Sequence, residues 1–111
     1  MTTTMTPDRA GHYLTWVRRE LDRLRAIDAA GGLSALSVED RMAMRLEWED
    51  VVDRYLAVVA PYERGQLPPA LATRLVDLSS DLAAFAPELE RMRLRRPDPE
   101  LLDRIRLAAA S

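Results

Sequence analysis

Residues 37–62 read SVEDRMAMRLEWEDVVDRYLAVVAPY, and the fold class turns on whether this stretch is helix or strand. Met42, Met44, Leu46 and Trp48 alternate with polar or small residues, which is the strand period. The alternation breaks at Val51-Val52, and its residues are mostly strong helix formers. A helical period accounts for more of the stretch. At about 100° per residue, Met44, Trp48, Val51, Tyr55, Val59 and Tyr62 fall on one stripe. Val52 and Val58 widen it, and Val38, Met42 and Leu56 extend it round one side. Ser37 and Asp40 form a capping box with a short carboxylate, while Glu39 and Asp40 suit the positive end of the helix dipole. Pro61 disfavours helical geometry in the residue before it and marks the expected end. A helix apolar over so wide an arc must be covered from two sides, which predicts that it lies at the centre of the fold.

Towards the N-terminus, Thr6-Pro7-Asp8 supplies an N-cap, a proline at the first helical position and a first-turn acid. The helix this opens is expected to reach about Ala30, where Gly31-Gly32 permit a left-handed stop. Ala10, Tyr13, Leu14, Val17, Leu21, Leu24 and Ile27 make its stripe, with Trp16 on the flank. The short 33–36 linker predicts an antiparallel hairpin with the central helix. That pairing brings Tyr13 near Tyr55 and Leu24 near Met44, and sets Glu20 opposite Trp48. A carboxylate in that position is either a functional acid with a value raised by burial or a structural one held by a partner. Arg45 or Arg41 at the edge of the arc, or the Trp48 indole N–H, can hold it, and the structural role is expected.

Towards the C-terminus the pattern changes. Leu71, Leu75, Leu78, Leu82, Phe85, Leu89 and Met92 step alternately by four and three, a heptad seam suited to a single long partner helix. Ser79, Ser80 and Asp81 are expected to face away from it. Pro87 removes the hydrogen bond to Ala83, and because the heptad register continues past it, a kinked but continuous helix is predicted over the alternative of a break at Ala86. Beyond Met92 the seam positions become Arg93 and Arg96, so packing is expected to stop there. Asp98-Pro99 repeats the cap-and-proline signal, opening a last short helix whose apolar residues are Leu101, Leu102 and Ile105.

These signals define an all-α fold, an antiparallel bundle of about four helices with the third long and kinked at Pro87. Residues 1–5 are expected to be disordered and 6–111 to form one domain, which the length of 111 residues allows. The absence of cysteine excludes disulfides, thiolate metal sites and a cysteine nucleophile. All 16 basic residues are arginine, a composition typical of GC-rich coding sequence. The net charge of −2 provides no bulk attraction to nucleic acid or anionic membrane. MTTTMT has neither the charged nor the apolar region of a signal peptide, and no apolar run approaches the ~20 residues of a membrane helix, so a cytoplasmic protein without membrane contact is expected.

Several constellations are candidate sites. Glu47, Glu49, Asp50 and Asp53 crowd one helix face, but no histidine stands near them and Arg54 follows Asp50 at the favourable helical spacing, so a solvated face is expected. The lone His12 has no second metal ligand, and no phosphate loop or nucleophile elbow is present, so no cofactor, metal or catalytic residue is assigned. The heptad seam instead points to a non-enzymatic protein–protein interaction module, self-associating as a dimer through Leu71 to Met92 or binding another protein. Two alternatives stay open. Arg91, Arg93, Arg95, Arg96, Arg104 and Arg106 are placed for phosphate contacts in a nucleic-acid-binding regulator, although acids are interleaved with them and no aromatic lies among them. Tyr13, Trp16, Trp48, Tyr55 and Tyr62 are placed to line a small-ligand pocket.

Overall fold

The computed structural model describes residues 5–110, and among these it contains helices and no strand. The helices are α1 (Pro7–Ala29), α2 (Val38–Glu63), α3 (Pro69–Arg91) and α4 (Pro99–Ala110), with a single 3-10 turn at Leu33–Ala35. The disorder expected for residues 1–4 lies outside the described residues, whereas Met5 packs against the core.

The capping signals operate as the residues dictate. Thr6 Oγ1 accepts the Arg9 N–H at 3.1 Å, and Ser37 Oγ accepts the Asp40 N–H at 3.1 Å. Both satisfy donors that a helix start leaves unpaired. The first three helices close alike. Gly32 N–H reaches Ile27 O, Gln66 N–H reaches Pro61 O and Leu94 N–H reaches Leu89 O, each at 2.9 Å. In each case the preceding residue is left-handed, at φ 115° for Gly31, 69° for Gly65 and 57° for Arg93. This is the Schellman closure, in which two orphan carbonyls gain partners.

Two proline readings come out differently. α2 runs two residues beyond Pro61, because the proline is buried and its carbonyl is the one that takes the closing Gln66 N–H. α3 remains a single helix through Pro87.

One hydrophobic core joins the elements. Leu14, Val17, Leu21 and Leu24 of α1 meet Met44, Trp48, Val51, Tyr55 and Val58 of α2 and Leu75, Leu78, Leu82 and Leu89 of α3. Leu102 and Ile105 of α4 complete it. Between α1 and α2, Arg23 reaches Glu47 at 3.1 Å, and the Arg54 guanidinium lies over Tyr13 and Trp16, 5.4 and 4.4 Å from their ring centres. α1 and α3 lie side by side in the same direction. Arg74 reaches Thr15 at 2.8 Å, Arg18 reaches Asp81 at 2.7 Å, and Arg91 reaches Asp28 at 2.7 Å.

The second cover of α2 comes from a segment without regular structure. Residues 92–98 lie along α2 as a strap, with Met92, Leu94 and Pro97 buried. Arg45 donates to the Arg93 carbonyl at 3.2 Å, and Trp48 Nε1–H donates to the Arg95 carbonyl at 2.6 Å. Packing therefore continues past Met92, because Leu94 and Pro97 follow the turn at Arg93 rather than the heptad register of α3. Val38 and Met42 depart from the expected apolar arc as well. They are 62% and 60% exposed, in the first two turns of α2.

Candidate functional site

Each group of residues singled out in the sequence has a definite place. Leu75, Leu78, Leu82, Phe85, Leu89 and Met92 are buried, and Leu71 is partly covered, so the seam is occupied within the chain by the shared core. Ser79 is buried too, against the expectation that it faces outward. Its Oγ lies 2.5 Å from the Tyr55 hydroxyl and donates to the Leu75 carbonyl at 2.7 Å. Because the serine proton is committed to that carbonyl, Tyr55 donates to serine. Burial pushes the Tyr55 hydroxyl up to about 12, and the charge of Glu63 adds to the shift.

Glu20 is not paired with Arg45. Its side chain keeps 12% exposure and lies 3.6 Å from Arg23, one turn further along α1, and Arg23 also bridges to Glu47. Arg45 and the Trp48 indole both turn to strap carbonyls instead, which are fixed acceptors at the same surface. The aromatic residues do not share one pocket wall: Trp48 and Tyr55 are sealed in the core, Tyr13 and Trp16 lie under Arg54, and Tyr62 borders a shallow hollow with Glu63, Arg104 and Ile105.

The C-terminal arginines are mostly committed. Arg95 lies 2.7 Å from Asp53 and 3.2 Å from Glu49, Arg91 pairs with Asp28, Arg96 with Glu90, Arg104 with Glu63 and Arg106 with Asp103. Hydrogen bonding to their acids holds Arg95 and Arg104 above the usual arginine value. Much of the α2 acidic face is thereby neutralised by the strap and by α1. Among the described residues no group of three or more His, Cys, Asp or Glu is arranged to hold a metal ion, and no helix is long and apolar enough to cross a membrane.

The surface that stands out is one the sequence reading did not isolate. Val38, Met42 and Leu46 follow one another by four residues on α2, and Leu46 is 71% exposed. At about 100° per residue they form a continuous apolar ridge on the outer side of the helix. Arg41 and Arg45 flank it on one side, with Glu39 and Asp50 on the other. The i, i+4 spacing is legible in the sequence, but Val38 and Met42 also fit the wide apolar arc of α2, from which Leu46 stands apart. No family model, curated protein or solved structure matches the chain.

Proposed function

We propose that the protein is a non-enzymatic helical interaction module that self-associates through α2. The observation that carries this reading is the ridge of Val38, Met42 and Leu46, three large apolar side chains left in water on the helix around which the core is built. Contiguous exposed apolar residues rimmed by charge are the signature of a docking surface. A second copy suits it. Two α2 helices laid ridge to ridge in the same direction place Arg41 and Arg45 of each against Glu39 and Asp50 of the other. The surface used is α2 rather than the α3 seam, because the seam residues are already packed inside the chain. Three side chains make a small patch, so the association is concentration-dependent rather than permanent.

In this reading the protomer is a bundle with antiparallel chain neighbours and a bend in α3 at Pro87. The Arg23–Glu47 and Arg54–Trp16 contacts support the first, and the proline's missing N–H supports the second. The non-enzymatic reading is supported by where ionisation is shifted: a core tyrosine and two arginines held by surface ion pairs. A nucleic-acid role for the C-terminal arginines is less favoured, since five of them would exchange a carboxylate for a phosphate.

The test is solution mass by light scattering across a concentration series. We expect the mass to rise from monomer towards dimer, and Leu46→Glu, which alters an exposed side chain, to hold it at monomer without changing the helical circular dichroism. A monomer at every concentration, or a dimer that survives Leu46→Glu, refutes the reading.

A further inference from the structure

The closures of α1, α2 and α3 use the same geometry, yet the left-handed position is glycine in two and Arg93 in the third. An L side chain is strained there, because its Cβ crowds the following carbonyl. Gly31 and Gly65 show that glycine serves the closure fully, so what arginine adds at this position is its side chain.

Arg93 lines a hollow of about 360 Å³ between the end of α1 and the start of the strap. Arg41, Arg45 and Arg91 line the same hollow, together with the 31–34 turn and Met92, and no carboxylate does. Arg91 is neutralised by Asp28 at 2.7 Å. Arg41, Arg45 and Arg93 have no carboxylate within ion-pair distance among the described residues, although other arginines near the C-terminus do. Arg45 is held to the Arg93 backbone through its bond to that carbonyl. Like charges are thus gathered at one concavity at the cost of a strained backbone, an arrangement that marks function more often than stability.

We propose that this hollow binds the phosphate groups of a small phosphorylated ligand, with Arg41, Arg45 and Arg93 as the residues that grip it. A single carboxylate is satisfied by one guanidinium fork, whereas three arginines lining one hollow suit a ligand with several charged oxygens, such as a diphosphate. The hollow falls at the lower end of the range for small-molecule sites, and the net charge of −2 gives no extended field for a nucleic-acid strand. Because the α2 dimer would turn Arg41 and Arg45 towards the second copy, the site is one that the monomer offers.

To keep the two readings separate, the experiment is performed in the Leu46→Glu background, with inorganic pyrophosphate as probe and sodium chloride at matched ionic strength as control. Pyrophosphate should raise Tm saturably where chloride does not. Arg41→Ala and Arg45→Ala should each weaken binding by roughly tenfold or more, the loss typical of one charge-assisted contact. Arg93→Gly should weaken binding by a similar factor while raising the Tm of the ligand-free protein by a few degrees. That combination separates a binding residue from a structural one. No saturable rise, or unchanged affinity or a lowered Tm in Arg93→Gly, overturns the proposal. So does retention of oligothymidylate without pyrophosphate binding, which would point to a nucleic-acid track.

Discussion

The Tyr55 hydroxyl is enclosed by the core, and its stability rests on one neighbour. Ser79 can lose Tyr55 and still donate to Leu75 O, whereas Tyr55 has no other partner if Ser79 is lost. The two truncations are therefore unequal. Tyr55→Phe should cost about 1 kcal/mol and Ser79→Ala about 1–3 kcal/mol, because only the second strands a buried hydroxyl. The double variant should lie close to Tyr55→Phe, and urea unfolding of all four proteins gives the cycle. Equal, additive costs would mean that the pair is not coupled. The same burial gives a pH signature. A tyrosine whose folded value is about 12 against 10 unfolded contributes stability that is complete below pH 10 and is lost as pH rises through 12. The loss is on the order of 2–3 kcal/mol, and it should be missing from Tyr55→Phe when unfolding is compared at pH 9 and near pH 12. No lysine or cysteine titrates in that window to obscure it. The burial of Tyr55 and Trp48 was legible from their place on the α2 stripe. Their polar partners were not, because Ser79 and the Arg95 carbonyl are brought in by tertiary packing that leaves no local period.

At the scale of elements, the helices were the legible part, since caps, glycines and apolar spacing are local signals. α3 shows where that legibility ends. Its seam was evident, but a heptad pattern records only that a face is covered and not by what. Here α1, α2 and α4 share the task, and Leu78→Ala or Leu82→Ala should cost about 2–5 kcal/mol in urea unfolding, as for buried leucines elsewhere. The strap was invisible to periodicity because it has none. Its attachment is nevertheless specific, since the Trp48 indole holds the Arg95 carbonyl and Arg95 in turn holds Glu49 and Asp53. Trp48→Phe keeps most of the ring volume and removes the N–H. We expect it to free the strap before the helices, so that trypsin cuts after Arg93 and Arg95 faster while cleavage within α1 stays near its original rate. A uniform acceleration at all sites would show that the strap has no separate attachment.

For the whole molecule, the prediction that α2 must be covered from two sides sets the logic of assembly. α1 covers one side, α3 meets α2 at the Tyr55–Ser79 pair and the strap covers another side, with α4 closing the far end through Ile105 and the Arg104–Glu63 pair. α4 has twelve residues and is too short to be stable alone, so its formation and its docking are one event. It is also joined in sequence to the strap that covers Trp48. Leu102 and Ile105 are its buried residues in the common core. Replacing both by alanine removes about 4–10 kcal/mol of packing, against the roughly 5–15 kcal/mol by which domains are stable. If the core is continuous from α4 to Trp48, that loss cannot be confined to the last helix. Thermal unfolding of Leu102→Ala/Ile105→Ala followed by circular dichroism and by tryptophan fluorescence should then give one coincident transition at a much lower temperature. Two separated transitions, with the tryptophan signal retained after part of the helicity is gone, would instead make α4 a satellite on a three-helix core, and the closure of α2 would belong to α1, α3 and the strap alone.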